Sequence, residues 1–315
     1  MVTSVGSFSA ECVVESLKDN FRGIVYGCDI YPAEWHHISR KFEKVFQAPS
    51  VKNEAEYLEF ITAVCRDYSI QVIIPLTDVE VDFFHKNREI FIDKNIIVTI
   101  SNEAFVAVAR DKKKLFKYLI DHKFDTVQTY TADELQNVAY PLIAKPANGR
   151  SSEGIFYLNS VNDRISSCDY DNYIFQEVIQ GNLCTVDYIR NAQTNTSHSI
   201  PRIEWLRTKN GAGMTIETID SAEFMEIADK IGQNLNVNGC INMEFIITGN
   251  NSYLIDINPR FSAGIGFSKL AGYDFVKNHI LAFTGKEIDP GTEYKMIIAE
   301  KIMTEVINQY TRVTK

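Results

Sequence analysis

Glu244, Asp256, Asn258 and Arg260 fall within one stretch, residues 241–260, INMEFIITGNNSYLIDINPR. Its alternation reads as two short strands joined by a tight Gly-Asn-Asn turn and stopped by a proline. With the hairpin centred on Asn250, Glu244 lies across from Asp256, side chains about 5 Å apart. Two carboxylates held that way repel each other, so the arrangement makes sense mainly with a cation between them. Oxygen donors from Glu244, Asp256 and the Asn258 amide suit Mg²⁺, which keeps positions open for water and phosphate. Arg260 follows at the strand end, where its fork of donors fits a phosphate or a carboxylate. The alternation puts Ile241, Met243 and Phe245 on the face away from Asn242 and Glu244. It also puts Tyr253, Ile255 and Ile257 on the face away from Leu254, Asp256 and Asn258. A surface hairpin with an ordinary polar face has the same pattern.

Other stretches offer partners. Residues 141–145, PLIAK, form a strand ending on Lys145, and the polar loop 147–154, ANGRSSEG, leads to a second strand at 155–158. Such a loop can fold its amides over phosphate oxygens while the lysine supplies a point charge; it can equally be a flexible hairpin. Residues 173–179, YIFQEVI, read as a strand whose backbone and Gln176 side chain can meet an adenine edge. The lysines at 112–114 open the second half of a helical pattern, 103–122, that breaks near Arg110. By themselves they suit a solvated face.

These elements sit in a chain that begins with strand, glycine turn, helix and strand, the order of a dinucleotide-type α/β unit. Only one glycine stands in the turn, which makes a nicotinamide site at Asp29 a poor reading. A helix at 54–68 and apolar strands at 71–75 and 96–100 continue the alternation, which points to a parallel sheet. Asp78 and Glu80 follow the third of these strands, where open α/β sheets place ligands, although acids at a helix start also suit its dipole.

With 315 residues, 45% hydrophobic and 23% charged, the chain can bury a large core divided among two or three units. A net charge of -9 argues against a nucleic-acid or membrane-surface binder. No run of about 18 apolar residues and no basic-then-apolar leader is present, so the expected setting is the cytoplasm. Six scattered cysteines without CxxC spacing read as buried small apolar residues, and His36-His37 as structural or surface.

In this order, ARDK at 109–112, PLIAKPANGRSSEG, FQEVIQGNLCTVDYI and NMEFI followed by LIDINPR resemble the ATP-grasp superfamily. The likeness is to the branch of carbamoyl-phosphate synthase and biotin carboxylase, and it runs to about residue 285. The resemblance implies α/β plus α+β architecture: a Rossmann-like pre-ATP-grasp domain at 1–100 and a two-lobed ATP-grasp domain at 101–290. The lobes would be about 101–173 and 174–290, with a tail at 291–315 packed on them. It implies an ADP-forming carboxylate-amine ligase with ATP and one or two Mg²⁺, Mn²⁺ being an alternative. Small carboxylate and amine substrates and a homodimer fit it, and neither nucleic acid nor membrane does. Lys112 and Lys145 would contact phosphates under a lid at 147–154 with Ser151, Ser152 and Gly154. Gln176, Glu177, Val178 and Ile179 would form the adenine hinge, Glu244, Asp256 and Asn258 would hold metal, and Arg260 would steady the transferred phosphoryl group. Asp78, Glu80, Arg202 and Arg207 are the candidates for substrate contact. Leu183 departs from the family, which has a ribose-binding glutamate there, and Asp256 stands where glutamate is commoner. A degenerate nucleotide binder without turnover is the rival reading.

Overall fold

In the N-terminal part of the chain, Val2–Thr3, Tyr26–Asp29 and Lys44–Gln47 pair in parallel, as do Val72–Ile73 and Ile97–Val98. A parallel bridge from Val2 to Ile74 joins the two groups, giving a spatial order 44–47, 26–29, 2–3, 72–73, 97–98. The strands are short because each apolar run is cut by the turn that returns the chain through a helix. Helices Ala10–Asn20 and Glu54–Asp67 bury Val13, Val14, Ile61 and Val64. The protein is described here by a computed structural model covering residues 1–149, 153–163, 169–249, 251–291, 293–302 and 304.

The rest of the chain builds two antiparallel sheets. One has four strands, in the order Thr129–Tyr130, Tyr173–Glu177, Leu142–Pro146, Phe156–Leu158; the other has six, in the order Asn251–Asn258, Gly239–Thr248, Asn182–Asn191, Thr196–Arg207, Gly213–Thr218, Ile298–Glu300. The helix at 103–122 is two helices, Glu103–Ala109 and Lys112–Asp121. The break has a physical cause. Asp111 caps the second helix by accepting from the Lys113 and Lys114 amides, which makes Lys112 its first residue.

On the six-stranded sheet, Val186 and Tyr188 alternate inward beside Met243 and Phe245, and Phe224, Ala228 and Ile231 of helix Ala222–Asn234 cover them. Each such apolar side chain contributes about 1.5–3 kcal/mol by leaving water. The helix lies so close that a Cβ on Gly232 would come within 2.1 Å of the Tyr188 hydroxyl. Five cysteines are free, Cys12 partly buried and Cys28, Cys65, Cys184 and Cys240 buried; Cys168 lies outside the described residues.

Three readings change. Thr196–Arg207 and Gly213–Thr218 are strands, in a stretch where the sequence pointed only to the cations Arg202 and Arg207; Pro201, a residue without a ladder donor, sits opposite Val186 in mid-strand. Tyr173–Glu177 pairs with Leu142–Pro146, so the chain passes from one sheet to the other after Glu177 and not at 173/174. The hairpin also carries a bulge. Thr248 pairs with Asn251, a register that alone would set Glu244 opposite Ile255, but the register shifts by one residue between Glu244 and Phe245. Glu244 therefore does face Asp256, as expected, while the faces of the second strand change. Leu254 and Ile257 enter the core, and Ile255 turns to the cavity beside Asp256 and Asn258.

Candidate active site

The cavity-facing sides of this hairpin and of strand Leu142–Pro146 enclose, with the strand ends of the N-terminal part, a space of about 700 Å³. Lys112, Lys145, Glu204, Arg207, Glu244 and Asp256 all line it. The Lys112 ammonium donates to Asp256 Oδ2 at 2.7 Å, so the helix start set by Asp111 delivers a cation onto one of the paired carboxylates. Arg207 reaches Glu244 at 3.6 Å and Glu204 at 2.8 Å. Burial pushes the Glu244 carboxyl up, with Arg207 opposing and Asp256 and Glu204 adding to the rise. Burial pulls the Lys145 ammonium down to about 8, helped by neighbouring Lys112 and opposed by Asp256 and Glu244.

The Asn258 amide donates to Asn242 Oδ1 at 3.1 Å, and Asn242 donates to the Arg260 carbonyl. That pairing fixes the strand end and orients the Asn258 carbonyl oxygen, the atom a hard cation takes. Two carboxylates and an amide, with cationic side chains already beside them, fit an Mg²⁺ that completes its shell with phosphate and water. Arg260 is held in a bidentate pair by Asp78, at 2.9 and 2.8 Å. Burial alone would raise the Asp78 carboxyl, but the guanidinium of Arg260, and after it Arg110, holds it below the usual range.

Residues 109–264 match the family model described as an ATP-grasp domain. The chain carries an ATP-grasp domain. It is 22% identical over 205 residues to the carbamoyl phosphate synthase large chain of Thermoanaerobacter pseudethanolicus, a match covering 58% of this chain and 19% of that one. The chain thus spans about a fifth of that relative. Among solved structures, a biotin carboxylase in complex with β,γ-ATP from Campylobacter jejuni superposes with a TM-score of 0.77 at 16% identity, covering 94% of this chain and 73% of the other. The dimeric biotin carboxylase domain of Hydrogenobacter thermophilus 2-oxoglutarate carboxylase, with MgADP, ADP and bicarbonate, gives 0.72 at 14% identity, covering 92% and 70%.

Within this ATP-grasp domain, the expected phosphate lysines and metal ligands converge on one cavity, whereas the hinge residues lie elsewhere. Gln176 is fully buried and donates to Thr129; Glu177 is exposed and accepts from Tyr130; Val178 is exposed and Ile179 half-buried. None of the four lines the cavity. Gly154, at φ 73°, accepts from the Tyr173 hydroxyl, and Ser151 and Ser152 lie outside the described residues.

Of the four substrate candidates, Asp78 and Arg207 reach the cavity. Arg202 does not: it is 0% exposed, clamped by Asp187 at 2.5 Å and Ser262 at 2.9 Å. A strand residue alternates inward whatever its charge, and here it meets a buried carboxylate. Glu80 is also buried, accepting from Ser4, Thr77 and Tyr57, outside the main cavity. Glu204 is the residue that sequence reasoning missed. It accepts from Thr185 and lies so close to Gly213 that a Cβ there would meet its carboxylate at 2.8 Å. Its only signal was a polar position alternating with Arg202 in a strand that had not been recognised.

Proposed function

We propose that the protein is an ATP-dependent ligase that activates a small carboxylate as an acyl phosphate, releases ADP and phosphate, and forms a C–N bond with an amine. The observation that carries this reading is the Glu244–Asp256 pair, bridged to Lys112 and set beside Lys145 in one cavity. Lys112 and Lys145 would bind the phosphates, and the loop 147–154 with Ser151, Ser152 and Gly154 would close over them. The backbone of 176–179 would hold the base from outside the cavity. Glu244, Asp256 and Asn258 would hold one or two Mg²⁺, or Mn²⁺, which would offset the charge shared by phosphate oxygens during transfer. Arg260, kept in position by Asp78, would meet the oxygen of the developing acyl phosphate. The parallel strand order supports a Rossmann-like pre-ATP-grasp unit for residues 1–100, followed by two lobes divided at 178–181. A homodimer, of the kind named for the Hydrogenobacter domain, and a cytoplasmic setting belong to the same reading. No helix among the described residues is long and apolar enough to cross a membrane.

An ¹⁸O-labelled carboxylate substrate would deliver one label to the released phosphate. Turnover with no label in phosphate would sink the acyl-phosphate route. Leu183 favours the second reading, nucleotide binding without turnover, which is met if Mg²⁺-ATP binds and no carboxylate–amine pair releases ADP. Leu183 sits opposite Ile246, a cavity residue, so Leu183→Glu puts a carboxylate on the cavity face. The variant is expected to bind Mg²⁺-ATP as tightly as the parent or more so; a tenfold loss by calorimetry would mean that this strand does not face the nucleotide.

Lys145 gives a pH test. Its folded pKa, about 8, lies below its ordinary 10.5, so the fold disfavours its charged form. The resulting loss of stability is complete below about pH 8 and disappears as pH rises toward 10.5. Triphosphate favours the charged form, so Mg²⁺-ATP binding near pH 8.5 should take up protons. Calorimetry in buffers of different ionisation enthalpy measures that uptake, and Lys145→Met should remove it. Binding by the parent protein without uptake would take Lys145 out of the phosphate site.

A further inference from the structure

Each carboxylate of the Glu244–Asp256 pair has a protein cation as partner, and the two cations are held in different ways. On Asp256, Oδ1 accepts the Ile257 amide at 3.0 Å and Oδ2 accepts the Lys112 ammonium at 2.7 Å. Oδ2 is therefore the oxygen that a metal would take, and Lys112 stands on it. That ammonium ends a flexible side chain whose one ion-pair partner among the described residues is Asp256. The Lys112 backbone amide donates at 2.8 Å to the carbonyl of Ala147, the first residue of the loop 147–154.

Arg207, in contrast, is fixed. The ladder between Thr196–Arg207 and Gly213–Thr218 slips on each side of Leu206, so Trp205 and Leu206 both turn to solvent, 48% and 59% exposed. Arg207 thereby takes the cavity side that regular alternation would give to Leu206. Its Nε lies 2.8 Å from Glu204, whose side chain is 3% exposed, and its Nη2 donates to the Gly211 carbonyl. These contacts hold Nη2 at 3.6 Å from Glu244, beyond a hydrogen bond but well within charge attraction. Glu244 is thus neutralised at a distance, whereas Asp256 is covered.

We infer that Lys112 and Arg207 act as built-in counter-ions, which keep a divalent cation from settling on Glu244 and Asp256 unless the nucleotide arrives with it. The four charges cancel, so a bare divalent cation finds little net attraction there. Lys112 is the exchangeable counter-ion: triphosphate offers it several oxygens, draws it off Asp256 Oδ2 and so opens that oxygen to metal. The two bindings then strengthen each other by the same factor. Arg207 is the permanent one: anchored by Glu204 and Gly211, it stays beside Glu244 and keeps metal affinity moderate throughout. The pull of triphosphate on Lys112 rests on the ATP reading above, while the competition of both cations with metal does not.

The test is the affinity of the nucleotide-free full chain for Mn²⁺ alone, read from the free-ion signal in electron paramagnetic resonance. Lys112→Met should bind Mn²⁺ at least about tenfold more tightly than the parent, and Arg207→Gln at least about threefold, because each removes a like charge beside the ion. Adding Glu244→Gln to either variant should abolish the gain. Arg207→Lys keeps the charge, and Lys209→Gln removes an exposed cation from the following turn; both should stay within about twofold of the parent. The two cations are removed independently, so loss of folding in one variant leaves the other to decide. Unchanged or weaker Mn²⁺ binding in the folded variants, a gain that survives Glu244→Gln, or an equal gain from Lys209→Gln overturns the inference. The expected gains in a parent protein that binds no Mg²⁺-ATP by calorimetry would keep the counter-ions and reject the nucleotide reading.

Discussion

Asp256→Ala is expected to reduce ATP turnover by about a thousandfold, the upper end of what loss of one preorganised electrostatic group does to a transfer reaction. Asp256 has two partners in the structure. It faces Glu244 across the hairpin and holds the Lys112 ammonium at 2.7 Å. Removing it takes away half of the carboxylate pair and frees the lysine that opens helix Lys112–Asp121. The side chain is partly exposed at the cavity wall, so the fold should stay intact, with an unchanged denaturant slope and midpoint. Lys145→Ala should act at the same step with a loss of the same order. ADP release in single-turnover and steady-state assays checks both. Normal turnover in either variant would mean that the chemistry lies elsewhere, whereas unfolding of Asp256→Ala would make the pair structural.

Arg202→Ala is expected to cost about 3–5 kcal/mol of stability. Its guanidinium is fully buried against Asp187, and Asp187 is itself fully buried and shared with Ser268 at 2.6 Å. Removing the arginine leaves that carboxylate charged in the interior with only a hydroxyl beside it. For a chain of this size the midpoint of thermal unfolding should fall by on the order of 10 °C. Chemical denaturation, with the slope compared between variants, measures the loss. Stability within 1 kcal/mol of the parent together with a large loss of turnover would restore the substrate-contact role expected from sequence.

The sequence by itself determined what depends on near neighbours. Alternation of Ile241, Met243 and Phe245 with Asn242 and Glu244 sets one face toward the core, because successive side chains of a strand point to opposite sides. Asp111 after Arg110 breaks one helix into two, because a short acid satisfies the free amides of the next. The four motifs in order were enough to point to the ATP-grasp domain that residues 109–264 carry.

The tertiary structure decided what depends on long-range pairing. The bulge that sends Leu254 inward and Ile255 toward the cavity is set by the register against the facing strand. No residue of the second strand signals it alone. Arg202 became a core residue because its strand, hidden by Pro201, turns it onto Asp187 fifteen positions earlier. Asp78 and Arg260 pair across 182 positions, so neither sequence neighbourhood contains the information. A charged side chain in a sequence is equally compatible with a substrate, a metal or an internal partner, and only the groups that the fold brings within hydrogen-bonding distance select one.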